Sequence, residues 1–212
     1  MAEFTGHELT CLRGERRVFA GVAFRAASGD ALVLQGPNGA GKTSLLRLMA
    51  GLGAPARGTL RWDGADIAEH PDAHHARLCF VGHLDGVKPA FSVRENLAFW
   101  AAIGGHGETA RVAAALDAFR LLPLADFPAR FLSAGQRRRL NLARLLATEA
   151  PLWLLDEPEA ALDREARETL REAIAGHRRG GGIVVVATHG EATPPAGIPL
   201  ELRFASSGGR AA

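Results

Sequence analysis

One short segment constrains this chain more than any other. Residues 35–44, QGPNGAGKTS, stand between an apolar run at 31–34 and the residues Leu45, Leu46, Leu48 and Met49, which recur at helical spacing. The run reads as a strand, the recurrence as a helix that Gly51 stops, and the segment as the loop joining them. Gly36, Gly39 and Gly41 allow the stretch Gly36-Pro37-Asn38-Gly39-Ala40-Gly41-Lys42-Thr43 to curl with successive N–H groups pointing inward. The positive end of the following helix, with Ser44 in its first turn, adds to that anion nest. Lys42 brings a point charge suited to β- and γ-phosphates, and the Thr43 hydroxyl suits Mg²⁺. A strand, a glycine loop and a helix in that order predict a phosphate-binding α/β core.

A second strand carries the complementary chemistry. Residues 152–155, LWLL, end in Asp156 and Glu157. Asp156 is the residue expected to reach Mg²⁺, and Glu157 the residue expected to polarise an attacking water. A strand that ends in acidic residues also arises simply where a chain leaves a core, so the phosphate loop gives the pair its meaning.

The rest of the chain alternates strands and helices. Strands are expected at 8–12, 18–24, 31–34, 60–62, 78–81, 152–155 and 183–186, the 60–62 strand turning at Asp63-Gly64. Ser92 and Glu95 form a capping box before a helical region that reaches Arg120, broken at Gly104-Gly105. Residues 132–136 open another helix, and 163–178 a further one. This order predicts a largely parallel α/β sheet interrupted by a helical insert at about 84–146.

Composition fits one domain. The 212 residues carry a formal charge of +2 and 47% hydrophobic residues, and the longest apolar runs are far too short to cross a bilayer. The N-terminal stretch has acidic residues and no apolar core segment, so no secretory signal is expected. Cys11 and Cys79 lack CxxC spacing and read as buried, reduced thiols. Lys42 and Lys88 are the only lysines among 25 basic residues, so arginine is the default cation. An arginine fork is too wide and rigid for the place that Lys42 takes in the loop.

Further motifs bring in a resemblance. Leu132-Ser133-Ala134-Gly135-Gln136, 20 residues before the acidic strand, resembles the LSGGQ signature of ATP-binding cassette ATPases. Pro158 and Ala161-Leu162-Asp163 are similar to that family's D-loop, and Thr188-His189 to its switch histidine. The resemblance implies a P-loop NTPase of the ABC ATPase type in one domain. Its mainly parallel core would span about 1–83 and 147–212, with an antiparallel N-terminal β subdomain and the helical insert at about 84–146. It implies ATP and Mg²⁺ as cofactors, His189 and His83 beside Glu157 in catalysis, and an ATP-dependent dimer of the ATPase subunit. In such a dimer Ser133, Gly135 and Gln136 of one subunit face the phosphate loop of the other, with Asp163 nearby. Three positions depart from the family. Arg13 stands where an aromatic residue usually stacks on adenine, Ala134 replaces a glycine, and His83 replaces a glutamine that approaches Mg²⁺.

The stretch 81–88, VGHLDGVK, followed by 92–97, SVRENL, resembles the ATPase subunits of bacterial haem exporters for cytochrome c maturation, the CcmA family. So do LSAGQRRR at 132–139 and the stretch from Gly181 to His189, and the short segment after His189 suits that family better than an importer. The resemblance implies membrane-spanning haem exporter subunits as partners. It also implies haem handled by the complex rather than bound by this chain, and a peripheral place on the cytoplasmic face of the inner membrane. An ABC transporter for another substrate, or a soluble ABC ATPase acting on ribosomes or nucleic acid, stands as the alternative.

Other groupings weigh less. His70, His74, His75, Cys79 and His83 fall within fourteen residues, but a strand at 78–81 does not bring a spacing of four together. Arg137, Arg138 and Arg139 spread around the helix and read as a solvated face, not a nucleic-acid patch. Phe91, Phe99 and Trp100 read equally as insert core or as a partner-facing surface.

Overall fold

The computed structural model describes residues 1–104, 109–188 and 197–201. The chain opens with strands β1 (Glu3–Arg13), β2 (Arg16–Ala27) and β3 (Ala31–Gln35), then helix α1 (Lys42–Met49). Next come β4 (Arg57–Trp62), β5 (Ala65–Asp66), α2 (Pro71–Ala76) and β6 (Leu78–Val81). Helices α3 (Val93–Ile103), α4 (Thr109–Ala118) and α5 (Ala134–Ala147) follow, then β7 (Leu152–Asp156), α6 (Arg164–Arg179), β8 (Ile183–Ala187) and β9 (Ile198–Glu201).

The strands form two sheets. One is antiparallel in the order β2-β1-β4-β5, and the other runs β6-β7-β8-β3-β9 with every pairing parallel. All five residues of β7 and of β8 are buried, as expected for strands covered on both faces. Alternation then divides them between two cores. Leu152 and Leu154 face the core shared with α1 and the antiparallel sheet, whereas Trp153 and Leu155 face the core built with α5 and α6. Helix α6 buries Ala166, Leu170 and Ile174, one stripe at a spacing of four.

Local chemistry sets the element ends. Helix α1 stops at Gly51 (φ 69°), whose N–H donates to the Leu48 carbonyl while the Leu52 N–H donates to that of Arg47. That is the Schellman arrangement. Ser92 caps α3 through a full capping box with Glu95, as the sequence predicts. The bonds from Ser92 hold the Glu95 carboxyl below its usual pKa.

Several expectations change. β1 and β2 extend well beyond 8–12 and 18–24, because their outer face is open to solvent and takes arginines without losing its pairing. Helix α2 and strand β9 were not foreseen. α2 holds His74 and His75, with the buried His74 Nε2 at 2.8 Å from the Met49 carbonyl oxygen. Among the described residues no group of three or more His, Cys, Asp or Glu is placed to hold a metal ion. Gly105 of the expected break, the tail at 206–212 and His189 lie outside the described residues. No described helix is long and apolar enough to cross a membrane.

Trp153 of β7 stacks on His177 of α6 at 3.9 Å between ring centres. Burial pushes the His177 imidazole down to about 4, against a partial pull upward from the Ile183 and Pro151 backbone. Burial also lowers His74. The folded state therefore favours neutral His177, so stability is full above the ordinary value of 6.5 and declines as pH falls toward 4. The expected loss from His177 is ~2 kcal/mol, since the residue is only partly buried. Urea midpoints at pH 7 and 4.5 check this: His177→Phe, which keeps the stack, should show a smaller drop than wild type.

Candidate active site

The phosphate loop lies between β3 and α1. Gly36, Gly39 and Gly41 have φ of 147°, 80° and 100°, so all three glycines adopt backbone conformations that side chains disfavour. Gly41 has a second constraint: a Cβ there would meet Val18 Cγ1 at 2.6 Å and the Phe19 ring at 2.9 Å. Gly41→Ala is expected to cost about 1–3 kcal/mol of stability from backbone strain, with further loss from that collision. Thermal melting checks it; a melting temperature equal to that of wild type would contradict the loop geometry.

Lys42 is buried, and its Nζ donates to the Gly36 carbonyl at 2.6 Å and to the Pro37 carbonyl at 3.3 Å. Burial lowers the pKa of this amine, while the charges of Glu157 and Asp156 raise it. The Thr43 hydroxyl donates to Asp156 Oδ2 at 2.8 Å, across the parallel sheet from a residue 113 positions away. A hydroxyl and a carboxylate side by side are hard oxygen ligands, the donor set that Mg²⁺ prefers.

Glu157 follows directly and is backed by a strained turn. Its φ is 47°, unusual for a side-chain-bearing residue and worth about 1–3 kcal/mol of strain. Its N–H donates to the Ala187 carbonyl at 2.9 Å, which ties the turn to the end of β8. Asp156 is almost fully buried and Glu157 is half-buried, so the first carboxylate sits in the sheet and the second at its mouth.

Thr43, Asp156 and His83 line one cavity of about 530 Å³ between the parallel sheet and the helical insert. His83 is exposed there, just past the end of β6. The wall toward the insert holds Leu84, Trp100, Ile103 and Arg144. The Arg144 guanidinium lies 3.7 Å from the Trp100 ring centre, and the Trp100 indole N–H donates to the Gly86 carbonyl at 3.2 Å. Lys88, the second lysine, sets its ammonium 4.6 Å from the centre of Phe99, which packs edge-on against Phe91. These aromatics are neither fully core nor fully surface; cations cover them.

The signature-like residues sit at the opposite end of the insert. Ser133 is the N-cap of α5, accepting from the Gln136 N–H at 3.2 Å, while the Gln136 side chain accepts from the Ser133 N–H at 2.8 Å. Ala134 is the first helical residue and has no positive φ, so the missing glycine costs nothing. Gly135 is the second helical residue. Asp163 caps α6 by accepting from the Ala166 N–H at 2.8 Å. Arg13 is exposed at the end of β1, opposite Arg16, on the hairpin whose Val18 and Phe19 touch Gly41. Thus Gly36 to Ser44, Asp156, Glu157 and His83 gather at one end of the sheet. Ser133, Gly135 and Gln136 stand at the N-terminus of α5.

One residue departs from its expected place. Arg138 is 5% exposed, not part of a solvated face, because it lies in phase with Leu142 and Leu145 on the buried side of α5. Its Nη2 donates to the carbonyls of Asp156 at 3.1 Å and Glu157 at 2.8 Å. Its Nη1 donates to the Gly82 carbonyl at 2.8 Å and to Asp85 at 3.3 Å.

Comparison with known proteins agrees with this geometry. The family model described as ABC transporter matches residues 19–160. The cytochrome c biogenesis ATP-binding export protein CcmA of Rhodospirillum rubrum is 56% identical over 212 residues, covering 100% of this chain and 91% of that protein. A solved ATP-binding subunit of an ABC transporter superposes with a TM-score of 0.81 at 25% identity, over 88% of this chain and 79% of that one. An ATP-binding cassette solved as a dimer in a post-hydrolysis state, with ADP and phosphate, gives 0.78 at 24% identity over 88% of each chain. With a strand, a glycine loop and a buried Lys42 backed by paired carboxylates, and with that similarity running over all 212 residues, the chain belongs to the ABC transporter ATPases, within the CcmA family of cytochrome c biogenesis ATP-binding export proteins.

Proposed function

We propose that this chain is the ATP-hydrolysing subunit of a membrane complex that exports or handles haem during c-type cytochrome biogenesis. The observation that carries the reading is the meeting of Thr43 with Asp156 beside Lys42 and Glu157, in a chain whose full length matches a cytochrome c biogenesis export ATPase. The inward-turned loop and Lys42 bind the β- and γ-phosphates. Thr43 and Asp156 would hold Mg²⁺, with His83 in the role of the family's glutamine, and the ion would supply positive charge to the phosphate oxygens. Glu157 takes a proton from the attacking water, with His189 assisting. Arg13 offers a guanidinium plane to adenine in place of an aromatic ring.

Half of each site comes from a second copy. Ser133 and the N–H groups at Gly135 form an anion-binding helix end with Gln136 and Asp163 behind it, so ATP bridges two subunits and hydrolysis releases them. The dimeric solved cassette of the same fold supports this reading. The apolar, arginine-bearing cavity beside Trp100 and Ile103 suits docking by membrane-spanning haem exporter subunits. The chain then works peripherally at the cytoplasmic face of the inner membrane, without nucleic acid and with haem handled by its partners.

Affinity purification from detergent-solubilised membranes tests this. Recovery of membrane-spanning haem exporter subunits is expected. Recovery of ribosomes in their place would overturn the reading.

A further inference from the structure

A buried guanidinium needs acceptors, and the terminal nitrogens of Arg138 find theirs in the active site, whereas its buried Nε has none among the described residues. Its two terminal nitrogens bond four oxygens: the carbonyls of Asp156 and Glu157 at the end of β7, the carbonyl of Gly82, and Asp85. Gly82 immediately precedes His83. Glu157, read as acting on the attacking water, and His83, read as approaching Mg²⁺, are therefore both held through their adjoining backbone by one side chain. That side chain belongs to α5, whose N-cap is Ser133, the residue read as facing the second subunit's nucleotide.

The Glu157 turn shows what the clamp does. A residue with φ of 47° keeps that conformation only when its surroundings fix it. The Glu157 N–H is fixed by Ala187 and its carbonyl by Arg138, so the direction of its Cα–Cβ bond is set from both sides. We propose that Arg138 is a positioning residue, which aims Glu157 and His83 through backbone carbonyls and makes that aim depend on how α5 sits against the sheet. This rests on the reading of Glu157 as the base. A shift of the helical insert would thereby reach the attacking water without any contact between the insert and the nucleotide bound by its own subunit.

Steady-state ATP hydrolysis by the purified full chain tests the proposal, read as kcat and KM with the ATP-dependent dimer measured by light scattering. Arg138→Met and Arg138→Lys are expected to lower kcat about 10- to 100-fold, with KM and dimer formation within about twofold of wild type. A lysine nitrogen cannot span the two sides that the fork spans. Arg138→Ala should regain part of its kcat in millimolar methylguanidinium. Asp85→Asn, which removes the charge but keeps the carbonyl clamp, should stay within about twofold in kcat.

Unchanged kcat in Arg138→Met and Arg138→Lys would overturn the proposal. So would a parallel loss of kcat and ATP affinity without rescue, which marks a merely structural role. If Arg138→Met does not fold, Arg138→Lys and Asp85→Asn decide: equal losses in both would assign the effect to the ion pair and overturn the carbonyl clamp. Glu157→Gln in the same assay separates the two readings. Unchanged turnover there would overturn the base assignment together with the proposal, whereas loss there with intact Arg138 variants would overturn the proposal alone.

Discussion

Exchanging Glu157 for glutamine is expected to cut steady-state ATP hydrolysis by at least about 100-fold, the scale of a lost general base. The substitution keeps size, the backbone turn and the bonds to Ala187 and Arg138, so the phosphate site beside it should survive intact. ATP should therefore still bind and still join two subunits, and the ATP-bound dimer should accumulate because its exit by hydrolysis is blocked. Phosphate release and light scattering in the presence of ATP and Mg²⁺ check both halves. Turnover within twofold of wild type would refute Glu157 as the base.

The second large effect is expected at Lys42. Its Nζ is the donor for the Gly36 and Pro37 carbonyls and a positive charge that interacts with Glu157 and Asp156. Lys42→Ala removes that charge from a nest otherwise made of backbone N–H groups. The loss should be about 1.5–3 kcal/mol, roughly 10- to 100-fold in nucleotide affinity. Titration calorimetry with ATP measures it. Affinity within twofold of wild type would contradict the role of the loop.

Much of this was legible because the chemistry is local. A phosphate nest needs positive-φ residues at fixed offsets, so the spacing of Gly36, Gly39 and Gly41 reports a backbone shape directly. The parallel strands were equally plain, since β7 and β8 are apolar without alternation. The antiparallel strands were read too short because solvent tolerates Arg13, Arg16 and Arg25 on their outer face, and apolar alternation fades there. Helix α2 was missed since six residues with paired histidines carry no apolar stripe.

Arg138 shows a different limit. Composition favours the solvated reading of three consecutive arginines, and only the phase of Leu142 and Leu145 marks the middle one as buried. That signal was present in the sequence, but the acceptors were not: Gly82 and Glu157 are 56 and 19 residues away. Likewise, the pairing of Thr43 with Asp156 depends on the strand order β7-β8-β3, which no local pattern prints.

The account turns on ATP hydrolysis by this chain serving c-type cytochrome assembly. The most direct measurement is covalent haem in c-type cytochromes, stained after denaturing electrophoresis, in a bacterium deprived of its own export ATPase and given this chain. Wild type is expected to restore the stain, and Glu157→Gln at equal abundance is expected to leave it absent. Restoration by Glu157→Gln, or no restoration by a wild-type chain found with the membrane subunits, would contradict the account.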